Sequence, residues 1–127
     1  MREIEFRGKD VKTGEWRYGF YMTDRDTSLI IADAKVSGKL FLEVIPETVG
    51  QYTGLKDKNG VKIYEGDLLG GIKRWHVFWS DKRLCWRVAN TNEDALYGFG
   101  GDLWVHCETR KNIRVTNNIH DKGETNV

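Results

Sequence analysis

Five side chains offer soft metal ligands or a sulfur nucleophile with a histidine base: His76, Cys85, His106, Cys107 and His120. A structural zinc site gathers four Cys or His ligands in closely spaced pairs, and no such spacing occurs here. In a strand, His106 and Cys107 project to opposite faces, so even these neighbours do not converge. Gly98-Phe99-Gly100-Gly101 is glycine-rich but lacks the Gly-Lys-Ser/Thr that lets a phosphate loop hold a nucleotide, and it reads as a connection. The close carboxylate pairs, Asp24 with Asp26 and Glu93 with Asp94, fall in a polar break and at a helix start. No Ser or Cys is selected as a nucleophile by a pattern of His and carboxylate around it. No catalytic residue, cofactor site or metal ligand is therefore assigned, and a non-enzymatic protein is expected.

One constellation has a physical purpose. Between Gly71 and Asn90, Lys73, Arg74, Lys82, Arg83 and Arg87 are opposed by Asp81 alone, and aromatic residues are interleaved with them. If Trp75, Val77 and Trp79 point inward along a strand, then Arg74, His76 and Phe78 point outward. Arg87 joins them from the next strand, between inward Trp86 and Val88. An exposed Phe flanked by Arg can stack a nucleobase and hold its phosphate, so Arg74, His76, Phe78 and Arg87 form a candidate nucleic-acid or partner face. The competing structural account packs Phe78 against the N-terminal lobe or another subunit and leaves the cations as a solvated rim.

The elements that must position these residues are strands. The chain has 127 residues with 20 Lys+Arg against 19 Asp+Glu, a net charge of +1, and 39% hydrophobic residues. A mean hydropathy of −0.57 fits a water-soluble globular chain rather than a membrane-spanning or disordered one. No run approaches the roughly 20 apolar residues of a bilayer span, and the charged start is unlike a signal peptide, so the cytoplasm of the cell that makes the chain is the expected location. Two cysteines make no disulfide framework, and reduced thiols are expected.

Period-2 alternation runs through the first half. Ile4 and Phe6 alternate with charged neighbours. After the turn at Lys12-Thr13-Gly14, Trp16, Tyr18 and Phe20 alternate with Glu15, Arg17 and Gly19 in a second strand of the same hairpin, with the apolar set buried. Ser28–Ile31 and Leu40–Ile45 are further strands, the last stopped by Pro46. Asn59-Gly60 signals a type I′ hairpin turn that pairs Val49–Thr53 with Lys62–Tyr64. In the second half, Asp67 after Gly66 reads as a turn-stabilising carboxylate. Trp75–Trp79 and Leu84–Val88 form a hairpin around the Ser80–Arg83 loop, and their tryptophans seed a small barrel core. Thr91–Tyr97 has helix signals, Leu103–Val105 and Ile113–Val115 are strands, and residues 121–127 form a frayed tail.

The stretch Val49-Gly50-Gln51-Tyr52-Thr53-Gly54-Leu55-Lys56-Asp57-Lys58-Asn59-Gly60-Val61-Lys62-Ile63-Tyr64-Glu65-Gly66-Asp67 resembles the signature of the YopX family of prophage-encoded proteins. Ile4–Lys9, Gly14-Glu15-Trp16 and Tyr18-Gly19 resemble the family's N-terminus, and Asn118-Ile119-His120-Asp121 its C-terminal turn. The usual apolar extension after that turn is replaced by Lys122–Val127. The resemblance implies a phage or prophage origin in a Gram-positive bacterium, a β-rich fold with an SH3-like barrel, and no catalytic residues to carry over.

These readings together give a mainly β protein. An N-terminal β-rich lobe, residues 1–64, packs on a C-terminal SH3-like small barrel, residues 65–120, with a short helix near 92–97. The expected role is that of a phage accessory protein, a binding or homo-oligomeric assembly module. Tyr21, Tyr52, Phe78 and Tyr97 are aromatic residues beyond what a small core needs, and they suit contacts between copies. Nucleic acid bound by the Arg74/His76/Phe78/Arg87 face is the alternative. No membrane partner and no cofactor is expected.

Overall fold

The structure, a computed structural model, describes residues 3–34, 38–70, 75–89, 101–104, 107 and 113–121. It is mainly β, with two antiparallel sheets, as the alternation predicts. The chain divides into two compact units, Met1–Gly54 and Leu55–Val127. The division comes ten residues before the expected one at 64/65, because Leu55 and Ile63 belong to the core of the second unit.

The first unit contains β1 (Phe6–Lys9), β2 (Trp16–Asp24), β3 (Thr27–Ala34), β4 (Gly38–Val44), a 3-10 turn at Pro46–Thr48 and the start of β5 (Gly50–Lys56). Its strands lie in the order β4-β3-β2-β1-β5. The far end of β1 also returns to β4: Asp10 bridges Val44, the Val11 N–H donates to the Glu43 carbonyl at 3.1 Å, and the Ile45 N–H donates to the Lys9 carbonyl at 2.8 Å. These bonds draw the sheet into a ring. The Thr48 hydroxyl fixes the turn that follows, accepting from Lys9 N–H at 2.9 Å and donating to the Ile45 carbonyl at 2.6 Å. The ring-closing bonds lie in the first unit; the five-stranded antiparallel sheet of the second is consistent with the small barrel expected over residues 65–120. Ile30 and Val44 form its buried apolar centre, with Tyr52 also buried. The Arg7 guanidinium lies 4.3 Å from the Trp16 ring centroid, where the π face receives a cation that is out of water.

The second unit contains the end of β5, β6 (Lys62–Tyr64), β7 (Asp67–Gly70), β8 (Trp75–Ser80), β9 (Cys85–Ala89), β10 (Gly101–Asp102) and β11 (Arg114–Asn118). Its second sheet runs β10-β9-β8-β7-β11. Ile63, Leu69, Val77, Val88, Leu103 and Ile113 cluster in the core, and Trp75 and Trp86 pack against it. The expected strand at Leu103–Val105 is absent at its start, since the chain turns helical at Leu103 and Trp104. The expected helix near 92–97 and the tail from 122 lie outside the described residues.

Two buried carboxylates set the turns. Asp67 accepts the Tyr64 N–H at 2.8 Å, the role read from its place after Gly66. Asp57 accepts the N–H groups of Asn59 at 2.8 Å and Val61 at 2.9 Å on one oxygen, and of Val115 at 2.9 Å on the other. This changes the Asn59-Gly60 turn from the type I′ expected. Only Gly60 has a positive φ, 80°, and its N–H donates to the Asp57 carbonyl at 3.0 Å. With the Asp57 N–H on the Val61 carbonyl, the result is a three-residue loop with a glycine bulge, favoured here because the Asp57 side chain satisfies the turn's own donors.

Candidate interaction surface

The hairpin of β8 and β9 brings together three of the four residues singled out from the sequence. Its register pairs His76 with Ala89, Val77 with Val88, Phe78 with Arg87 and Trp79 with Trp86. His76, Phe78 and Arg87 therefore share one face, and Arg74 lies outside the described residues. Yet the face is not displayed to solvent. Arg87 is 6% exposed and His76 8%, with the His76 and Phe78 rings 5.5 Å apart. Arg87 Nη1 donates to Asp102 Oδ1 at 2.5 Å, so the cation expected to hold a phosphate holds a carboxylate of β10. A buried guanidinium is costly without such a partner. Asp102 is 15 residues away in sequence, in a two-residue strand that alternation cannot reveal. Burial, and then the same carboxylate 3.6 Å from its Sγ, push the Cys85 thiol up from its ordinary pKa, which disfavours the nucleophilic thiolate.

The tryptophan face of that hairpin is only partly core. Val77 and Val88 are buried, but Trp79 is exposed, its ring set edge-on to Trp86 and its indole N–H donated to Asp81 at 3.0 Å. Leu84, expected to share the inward face of a strand with Trp86 and Val88, instead ends the loop and is 74% exposed. Among the described residues, no three His, Cys, Asp or Glu side chains come together to hold a metal ion.

A different surface emerges in the first unit. The register of β2, β3 and β4 aligns Phe20, Ile31 and Phe41 in one row, and Met22, Leu29 and Glu43 in the next row on that side. Ile30, Ser28 and Val44 occupy the opposite side and are buried. The alternation along β2 is thus as expected, but its apolar set faces outward: Tyr18 is 46%, Phe20 60% and Phe41 60% exposed. Of the aromatic residues expected at contacts between copies, Tyr21 is exposed, Phe78 half-buried and Tyr52 buried; Tyr97 lies outside the described residues.

A groove of about 190 Å³ opens beside this row, lined by Ile4, Glu5, Tyr18, Phe20, Ile31 and Ala32. At roughly 150–250 Å² for a whole aromatic side chain, the exposed parts of Ile4, Tyr18, Phe20, Met22 and Phe41 amount to about 400–500 Å² of apolar surface. Each partner in a stable interface contributes about 800 Å², a little over half of it apolar, so this one face matches that apolar share.

A family model, YopX protein, matches residues 5–124. The chain belongs to the YopX family. The match takes in nearly all of the chain, including Ile72–Lys111, where the motifs quoted above do not reach. A comparison with curated proteins finds no match. Among solved structures, the chain is similar to protein EF1440 from Enterococcus faecalis, at 21% identity over 98% of this chain and 99% of that one, with a TM-score of 0.53. That likeness shows a shared fold for this YopX-family chain. No helix among the described residues is long and apolar enough to cross a membrane.

Proposed function

We propose that this YopX-family chain is a non-enzymatic assembly module of phage or prophage origin, acting in the cytoplasm of the bacterial host, and that it associates with copies of itself through the outer face of β2–β4. The observation that carries the reading is the Phe20–Ile31–Phe41 row, apolar across three paired strands with both phenylalanines 60% exposed. An isolated chain gains nothing from holding two phenylalanines in water. Covering the exposed part of each one, roughly 90–150 Å², stabilises an assembly by about 2–4 kcal/mol at most, on the order of 25 cal/mol per Å² removed from water.

The test replaces Phe20 with Asp, and separately Phe41 with Asp, and compares molecular mass by light scattering with thermal unfolding of each variant. The expected result is a lower mass and, at dilutions where parent and variant are both monomeric, an unchanged or slightly higher unfolding midpoint, because neither side chain is buried in the single chain. An oligomer of unchanged mass in both variants overturns the assignment of this face, and a monomeric parent protein overturns self-association itself.

A further inference from the structure

Asn59 is the one asparagine of the chain that precedes a glycine, and it stands exposed in the loop that joins β5 to β6. An asparagine so placed is open to a reaction with its own backbone. The nitrogen of the next residue gives up its proton to a base in the solvent and attacks the side-chain Cγ. A C–N bond forms, the bond from Cγ to the side-chain amide nitrogen breaks, and that nitrogen leaves as ammonia. The succinimide ring so made takes up one water and opens to aspartate or, through its other carbonyl, to isoaspartate. Glycine favours the attack because it sets no Cβ beside the nitrogen. A Cβ built at Gly60 would meet nothing within 4 Å, so the position is open to solvent.

The fold opposes the reaction at the nitrogen it needs. The Gly60 N–H, whose proton must leave, donates to the Asp57 carbonyl at 3.0 Å. On either side, the N–H groups of Asn59 and Val61 both donate to Asp57 Oδ1, at 2.8 and 2.9 Å, so three successive peptide groups are fixed on one residue. The Asp57 carboxylate, buried beside them, also repels the negative charge that develops on the Gly60 nitrogen as its proton departs. We infer that Asn59 is a deamidation site held closed by Asp57, and that its conversion to isoaspartate loosens β11. Isoaspartate adds a methylene to the backbone between residues 59 and 60. The spacing that lets Asn59 and Val61 share one oxygen is then lost. The other oxygen of that carboxylate accepts the Val115 N–H of β11, and the Lys58 N–H donates to the Ile113 carbonyl at 3.1 Å. Both ties start from residues next to the altered bond, so a change at an exposed loop reaches an edge strand of the second sheet.

The experiment ages the full chain, its Asp57→Asn variant and a synthetic peptide of residues 55–65 in one mildly alkaline buffer. Trypsin cuts after Lys58 and Lys62, so the Asn59–Lys62 fragment reports the change of amide to acid at Asn59 alone. The parent converts at least about tenfold more slowly than the peptide, because the reaction waits on local opening of the turn. Asp57→Asn converts about 10- to 100-fold faster than the parent, the gain in opened turn that matches the bonds it weakens. Circular dichroism checks that this variant is folded. Should it unfold, hydrogen exchange on the parent takes its place, with the Gly60 amide protected by the same factor that separates parent from peptide. The parent fraction that carries isoaspartate, isolated by ion exchange, unfolds at lower urea than the fresh chain. Asn59→Asp, which adds the charge without the methylene, shifts far less. A parent as fast as the peptide, a folded Asp57→Asn no faster than the parent, or a Gly60 amide that exchanges as freely as in the peptide overturns the protection by Asp57. An isoaspartate fraction as stable as the fresh chain overturns the link to β11. Self-association through β2–β4 has no part in these outcomes.

Discussion

Replacing Asp57 with Ala removes one side chain on which the second unit relies at three points. Its carboxylate accepts from Asn59, Val61 and Val115 at 2.8–2.9 Å, so it shapes the turn after β5 and ties that turn to β11, 58 residues away. A hydrogen bond to a charged acceptor contributes about 1.5–3 kcal/mol where the donor cannot reach water, and about 0.5–1.5 kcal/mol where it can. Asn59 and Val61 are exposed and Val115 is partly buried, so one bond falls in the higher range and two in the lower. The expected loss for Asp57→Ala is about 3–5 kcal/mol, a large share of the roughly 5–15 kcal/mol that holds a domain folded. Asp57→Asn keeps one carbonyl oxygen for Asn59 and Val61 and turns an N–H donor toward Val115, so its loss is smaller, about 1.5–3 kcal/mol. Urea unfolding followed by tryptophan fluorescence reads both, since Trp75 and Trp86 pack on the core of this unit. An Ala variant within about 1 kcal/mol of the parent, or an Asn variant less stable than the Ala one, refutes the bracing role.

Three other outcomes follow from the charged groups. Asp10 is held below the ordinary carboxylate range by the Lys12 N–H at 2.7 Å, against the opposing effect of burial, and further by Arg17 and the Thr13 N–H. A carboxyl whose pKa falls on folding stabilises above its unfolded value and loses that contribution as pH falls through the folded one. The stability gap between parent and Asp10→Asn is therefore full at neutral pH and closes below about pH 4 in acid unfolding curves; a pH-independent gap is the contrary result. Cys85, held protonated above the ordinary thiol range by burial and then by Asp102, reacts with iodoacetamide more slowly than an exposed thiol at pH 8, and Asp102→Asn speeds it, as peptide mass mapping reads. Equal rates in parent and variant contradict the assignment. Arg87→Ala leaves Asp102 without its 2.5 Å partner, and because that carboxylate is one-third exposed the loss is about 1–3 kcal/mol, below that of a fully buried pair, by urea unfolding; a variant as stable as the parent shows the pair to be without weight.

Strand alternation made most of the fold legible, and the limits of that signal explain the rest. Ile30 and Val44 are buried because period 2 fixes which side chains share a face. Alternation does not say which face has a partner. Tyr18 and Phe20 read as core from their pattern, and only the register of β2, β3 and β4 shows that the buried side is the one bearing Ile30. The same limit applies in reverse to Arg87, whose parity was right and whose burial depends on a carboxylate from β10. Turn chemistry was legible at Gly60 as a positive φ, but the turn type depends on the side chain of Asp57, which precedes the Asn59-Gly60 dipeptide and so lies outside a dipeptide rule. Leu84 carried no signal at all, since leucine beside Cys85 and Trp86 reads as strand and its left-handed backbone appears only when the loop is counted against the Ser80–Cys85 pair. Ring closure through Asp10 and Val44 spans 34 residues, beyond the reach of local periodicity.

The most direct measurement on the central claim is the mass of the unmodified chain by sedimentation velocity across a concentration series from low to high micromolar. Self-association through the β2–β4 face predicts a species at a multiple of 14.7 kDa that grows with concentration and is lost in Phe20→Asp. A single 14.7 kDa species at every concentration contradicts it.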